Sequence, residues 1–144
     1  MFDIQYYTDY IDKLGSTWLG KTFYSVCVGA MGAVILVVFL AGILQTGGIE
    51  KVLPVIIGFN AALTGYMAVE KSRNEVMRKN LLSMGSGVSM VLLATAGLNI
   101  LFYHWAGYSL VGIGMLTILL VVGVIASGLG GKLCTKYLKL SHSS

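Results

Sequence analysis

Four stretches of this chain contain no charged residue, and they constrain its fold more than any other feature: residues 24–46, 52–69, 81–103 and 108–131. A helix needs roughly 17–25 apolar residues to cross the hydrocarbon core of a bilayer, and each stretch falls within that range. A helix of a soluble domain would carry a polar face, whereas these stretches show none. The sequence therefore predicts an all-α, polytopic membrane protein whose four transmembrane helices form antiparallel hairpins.

The composition agrees with this prediction. Hydrophobic residues make up 56% of the chain, charged residues only 11%, and the mean hydropathy is +0.82. A soluble domain would carry about 25% charged residues. We divide the chain into an N-terminal interfacial segment (1–23), a four-helix transmembrane domain (24–131) and a basic tail (132–144).

The basic residues are distributed unevenly between the predicted loops. Lys51 is the only one in the first loop, and residues 104–107, the third loop, contain neither Lys nor Arg. Because Lys and Arg beside short loops stay on the cytoplasmic side, both termini and the 70–80 loop are predicted to face the cytoplasm of a cell (inner) membrane. The residues that anchor this topology are Lys71, Arg73, Arg78, Lys79, Lys132 and Lys136.

The net charge of +4 and the pI of about 9.1 do not call for a nucleic-acid partner. Basic cytoplasmic flanks suit the anionic inner leaflet of a membrane. In the 70–80 loop, the carboxylates of Glu70 and Glu75 offset part of the positive charge of four basic residues. A solvated loop is therefore favoured there over contact with lipid headgroups or docking of a partner.

The N-terminal segment is predicted to form an amphipathic helix that is interrupted at Gly15. Its apolar residues recur at alternating steps of three and four: Ile4, Tyr7, Ile11, Leu14 and Trp18. Asp3, Asp9 and Asp12 occupy other faces. One interpretation is a helix that lies at the cytoplasmic interface. The other is a docking element for another subunit, since acidic side chains are poorly placed against an anionic membrane.

The predicted spans offer no chemistry for catalysis. They contain no Asp, Glu, Lys, Arg or His, which are the usual marks of proton relays and ion-coupled sites. His104 and His142 fall on opposite sides of the membrane, which argues against a haem site. Cys27 and Cys134 lack the His or carboxylate neighbours of a metal site. We therefore predict no enzyme, no cofactor and no metal.

Small residues are the most frequent recurring feature of the spans. Rows of small residues at four-residue spacing let helix backbones approach closely in lipid. The predicted packing residues are Gly29, Ala33, Gly58, Gly65, Gly85, Gly123, Ser127 and Gly131. Such rows exceed what one bundle needs, which suggests that the lipid-embedded protein also pairs with copies of itself or with other membrane subunits.

Four polar residues fall near the middle of the spans: Asn60, Ser89, Thr95 and Thr117. They either line a path for a solute or form hydrogen bonds between helices. Two hypotheses for the function follow. The favoured one is a non-catalytic membrane subunit of a secretion, transport or respiratory complex, and the alternative is a small homo-oligomeric channel or transporter.

A weak similarity between two segments of the sequence suggests that the two predicted hairpins are repeats. The segment from Gly32-Ala33 to Ala41-Gly42 resembles the one from Gly87-Val88 to Ala96-Gly97, 55 residues later. Such a repeat would place both hairpins in the same orientation, as in some transporters. In a chain with 19 glycines, chance similarity is the competing explanation.

Overall fold

The computed structural model of the protein describes residues 4–44, 46–71 and 79–142, and these residues form five α-helices. The helices are α1 (Ile4–Ser16), α2 (Trp18–Leu44), α3 (Thr46–Lys71), α4 (Lys79–Ala106) and α5 (Ile113–His142). Helices α2 to α5 are each long and apolar enough to cross a membrane. The prediction of an all-α chain with four membrane-spanning helices is confirmed at this level.

Helix α2 begins earlier than the predicted span because Thr17 caps it. The Gly20 N–H donates to the Thr17 hydroxyl oxygen over 3.3 Å, and the Lys21 N–H donates to the Thr17 carbonyl over 3.1 Å. A threonine that accepts such a bond satisfies one of the unpaired N–H groups of a helix start. The break between α1 and α2 therefore falls at Thr17, and the predicted interruption at Gly15 is wrong.

Helix α3 starts at Thr46, the last residue of the predicted first span, and includes the whole of the predicted first loop. Gly47 and Gly48 favour a turn by composition, yet both are helical. Ile49 and Leu53, one turn apart, are fully buried against the other helices, and this burial stabilises the first turns. The connection between α2 and α3 is therefore much shorter than a loop over 47–51.

Residues 107–112 form an ordered, non-helical connection between α4 and α5. Gly107 ends α4 with a φ of +75°, a conformation that glycine adopts readily, and its N–H donates to the Tyr103 carbonyl. The fourth span consequently begins at Ile113 and not at residue 108. At its other end α5 continues to His142, so most of the predicted basic tail is helical.

Contacts between the helices fix their relative directions. Along α2 and α3 the paired residues run in opposite order, and so do those along α4 and α5. The pairs are Tyr24 with Lys71 and Gly32 with Asn60 in the first case, and Ser83 with Gly131 and Val91 with Gly123 in the second. Helices α3 and α5 run in the same order, with Gly58 against Val122 and Gly65 against Ser127. The starts of α2 and α4 and the ends of α3 and α5 therefore lie at one end of the bundle.

The burial pattern does not support the internal repeat. Val37 is fully buried, whereas its counterpart Leu92, 55 residues later, is 48% exposed. Met90 is fully buried and its counterpart Ile35 is 61% exposed. The similar segments present different faces to the core, so the similarity reflects composition and not equivalent packing.

Candidate functional site: polar and small residues in the bundle interior

The structure separates the four polar residues predicted at mid-depth. Asn60 and Thr95 are buried, whereas Ser89 and Thr117 are exposed on the outer faces of α4 and α5. The Ser89 hydroxyl donates to the Gly85 carbonyl over 3.0 Å, and the Thr117 hydroxyl donates to the Ile113 carbonyl over 3.1 Å. The four residues therefore do not face one common interior of a single chain, and the solute path stays a prediction.

Asn60 is packed against a glycine of the neighbouring helix. Its amide nitrogen donates to the Ile56 carbonyl over 2.9 Å, within α3. Its amide oxygen lies where a side chain at Gly32 would begin, only 2.7 Å from an ideal Cβ position. A side chain at position 32 would therefore collide with this oxygen. The glycine thus makes room for the buried amide.

Thr64 repeats this arrangement one turn further along α3. Its hydroxyl donates to the Asn60 carbonyl over 2.8 Å, and the same oxygen occupies the space beside Gly29. Gly29 and Gly32 therefore both lie in the contact between α2 and α3. Bulkier residues at either position would push these two helices apart.

Three helices meet at a set of small residues that we call the serine–glycine node: Gly65 of α3, Ser83 and Gly87 of α4, and Ser127 and Gly131 of α5. The Ser83 hydroxyl donates to the Ser127 carbonyl, which also lies against Gly65. Gly87 lies against the Ser127 side chain, and Gly131 lies against Ser83. A buried hydroxyl thus links α4 to α5 at this node.

Most predicted packing residues lie inside the bundle. Those that are buried are Gly29, Ala33, Gly65, Gly123, Ser127 and Gly131, while Gly58 is half-buried against Val122. Gly85 is the exception, because it is exposed and has no other atoms within 4 Å of an ideal Cβ position. On α4 the row that packs is Ser83 with Gly87, two residues away from the predicted row of Gly85 with Ser89.

The half-buried Asn99 holds the connection between α4 and α5 in place, and it was not predicted from the sequence. Its amide nitrogen donates to the Val111 carbonyl over 3.1 Å, and its amide oxygen accepts the Val111 N–H over 2.8 Å. This pair of bonds satisfies both backbone groups of a residue that is itself buried. The available signal was an amide near the end of a span, shortly before a segment containing three glycines, Gly107, Gly112 and Gly114.

The predicted topology anchors lie at the end of the bundle where α3 and α5 finish. Lys71 places its ammonium nitrogen 3.7 Å from the centre of the Tyr24 ring, a cation–π contact between α3 and α2. Lys132 and Lys136 are exposed on α5, and Lys79 is half-buried at the start of α4. Arg73 and Arg78 lie outside the described residues.

The amphipathic row of the N-terminal segment is only partly visible. Ile4, Tyr7 and Ile11 are all exposed on α1, so none of the described residues covers this face fully. The side chains of Leu14 and Trp18 lie outside the described part of the structure.

Comparison with known protein families, with characterised proteins and with solved structures found no match for this chain.

Proposed function

We propose that this protein is a non-catalytic integral membrane subunit that acts through its surface, within a larger membrane assembly or as a homo-oligomer. The supporting observation is the bonding of the polar side chains that are buried in the bundle. Seven polar side chains are buried among the described residues, and none of them is charged. Each donates a hydrogen bond to a backbone carbonyl. All six buried hydroxyls and one of the two Asn60 N–H groups are therefore bonded within the protein, which favours an interior built for packing.

The surface that favours assembly lies on α4. Gly29, Gly65 and Gly123 pack inside the chain, so they are not available to neighbours as the sequence suggested. Gly85 and Ser89, in contrast, lie exposed on one face of α4, and the serine donor is already satisfied within its own helix. A helix face made of small residues, whose hydrogen-bond donor is already bonded within the helix, permits close approach of another transmembrane helix.

We predict that Gly85→Leu weakens assembly and leaves the fold of the chain intact. Overpacking a close contact typically costs about 1–3 kcal/mol, which corresponds to a loss of association of about fivefold or more. Cross-linking in native membranes measures the assembled fraction. Gly42→Leu is the matched control, since Gly42 also has open space around it but lies on α2. Equal cross-linking of Gly85→Leu and the parent would exclude α4 as the contact surface.

A homo-oligomeric channel is the second candidate, and the exposed hydroxyls of Ser89 and Thr117 favour it. In a ring of copies, these outer-face residues would line a path between chains. The subunit hypothesis predicts that proteoliposomes containing the purified protein release small ions and solutes no faster than empty liposomes. Flux that disappears in Thr117→Val but persists in Thr95→Val, its buried counterpart, would favour the channel instead.

The proposed orientation has antiparallel hairpins with both termini in the cytoplasm. Two observations support it: the opposite order of contacts along α2–α3 and α4–α5, and the gathering of Lys21, Lys71, Lys79 and Lys132 at one end of the bundle. Retention of basic flanks then places this end in the cytoplasm of an inner membrane.

We expect single cysteines at the two ends to differ in accessibility. In a background with both native cysteines replaced by serine, Trp105→Cys should react with an impermeant maleimide in intact cells. Tyr137→Cys should react only after permeabilisation. Both parent side chains are well exposed, so burial does not bias the comparison. The opposite labelling pattern would invert the orientation.

A further inference from the structure

A cleft opens between α1, α2 and the end of α3, at the end of the bundle where the lysines gather. Its volume is about 430 Å³, within the range of about 300–1,000 Å³ that is usual for small-molecule sites. The residues that matter for its chemistry are Ile11, Lys21, Phe23, Tyr24, Cys27 and Lys71. The cleft lies where α2 begins and α3 ends. In the proposed orientation this is the cytoplasmic end of the bundle, where a bilayer changes from headgroups to acyl chains.

The polar side of the cleft is cationic. It contains Lys21 and Lys71, and none of the described residues that line it carries a carboxylate. The Tyr24 ring holds the Lys71 ammonium group at 3.7 Å and so fixes its position without neutralising its charge. Two lysines on adjacent helices present charges that complement an anionic headgroup.

The opposite side of the cleft is apolar. Ile11 and Phe23 are 63% and 68% exposed, and Cys27 lies one turn below Phe23 on α2. Large exposed apolar residues next to two cations form an amphiphilic surface, which a water-soluble anion alone would use only in part. An acyl chain would cover the apolar side while its phosphate contacts the lysines.

We propose that this cleft binds one anionic phospholipid, with its phosphate at Lys21 and Lys71 and the upper part of one acyl chain along Phe23, Cys27 and Ile11. The remaining chain length stays in the bilayer, since the cleft is too small to enclose a whole lipid. Helix α1 forms one wall, so a bound lipid connects the N-terminal helix to the bundle. The site does not depend on the proposed role in an assembly.

Cys27 reports occupancy of the cleft directly. It is half-buried among the lining residues, whereas Cys134 is fully buried, so Cys27 is the thiol that a maleimide reaches first. In detergent micelles, phosphatidylglycerol at ten times its dissociation constant should slow alkylation of Cys27 about tenfold. Phosphatidylcholine with the same acyl chains is the control and should protect weakly. Equal protection by both lipids would overturn the proposal.

Charge variants test the two lysines. Each basic residue near an anionic surface contributes a factor of about five to binding, so Lys21→Gln with Lys71→Gln should weaken phosphatidylglycerol binding about 25-fold. Lys132→Gln with Lys139→Gln removes the same charge from exposed positions on α5 and should leave binding nearly unchanged. Native mass spectrometry of the protein–lipid complexes measures both. Equal losses in the two double variants would mean attraction by net charge only, and no site.

Glycerol phosphate distinguishes binding through the headgroup alone from binding that also needs the acyl chain. It carries the anionic phosphate without apolar chains and should protect Cys27 far less than the lipid does. If it protected Cys27 as well as phosphatidylglycerol, the cleft would be an anion site and the lipid assignment would fail. Protection by the lipid alone, lost in the Lys21→Gln and Lys71→Gln variant, is the result that establishes it.

Discussion

Gly130→Ala is expected to destabilise the folded protein by about 1–3 kcal/mol, although it adds a single methyl group. An ideal Cβ at Gly130 would come within 2.8 Å of the carbonyl carbon and 3.1 Å of the α-carbon of Ala62 on α3. These are backbone atoms, which cannot rotate away as a side chain can. The methyl group must therefore displace α5 from α3, and Gly130→Leu should prevent native packing altogether.

The measurement is the free energy of unfolding in mixed micelles titrated with a denaturing detergent. Gly85→Ala serves as the matched control, because an ideal Cβ there meets nothing within 4 Å. Replacing glycine by alanine in an open helix position should stabilise the protein by roughly 0.5–1 kcal/mol. The two alanine variants are thus expected to change stability in opposite directions. Equal stability of both would show that α3 and α5 are not in backbone contact at Gly130.

Asn99→Leu is expected to cost about 2 kcal/mol of stability and to release the 107–112 connection. The substitution removes both hydrogen bonds to Val111 and leaves a buried N–H and a buried carbonyl without their partner. An unsatisfied buried polar group costs about 1–3 kcal/mol. Hydrogen–deuterium exchange should show the loss at the Val111 amide, while amides in the middle of α4 stay protected.

Thr95→Val is the control for this second prediction. Thr95 is buried as well, but its hydroxyl bonds only to carbonyls of its own helix, those of Val91 and Leu92. Both carbonyls can keep their helical partners when the hydroxyl is removed, so the substitution should be nearly neutral. An effect of Thr95→Val as large as that of Asn99→Leu would mean that the Asn99 bonds carry no special weight.

The sequence was sufficient to locate the four long helices but not the faces on which they pack. In a soluble helix the polar stripe marks the solvent side, whereas here both lipid and core select apolar residues. On α4, Ser83 with Gly87 and Gly85 with Ser89 satisfy the same four-residue spacing, and only the structure shows that the first pair packs. For the same reason the sequence could not show that Ser89 and Thr117 are exposed on the outer faces of their helices.

Helix ends were predicted poorly because they depend on long-range partners. Glycines at 47 and 48 favour a turn, and burial of Ile49 and Leu53 overrides that preference. The start of α5 depends on Asn99, which is 12 residues away from the Val111 backbone that it holds. The topology and the assembly remain predictions, since charge distribution and exposure bear on them without testing them.

The close contact of α3 with α5 bears on how the protein is made. A ribosome releases α5 after α2, α3 and α4, so the backbone approach of Gly130 to Ala62 forms only after all four long helices have been synthesised. Until then Ala62 lacks its contact with Gly130, and Gly65 lacks its contact with Ser127. Correct insertion and correct packing are thus separate events in the biogenesis of this chain. A packing defect at α5 would leave a species that is fully inserted yet recognisable to membrane quality-control proteases.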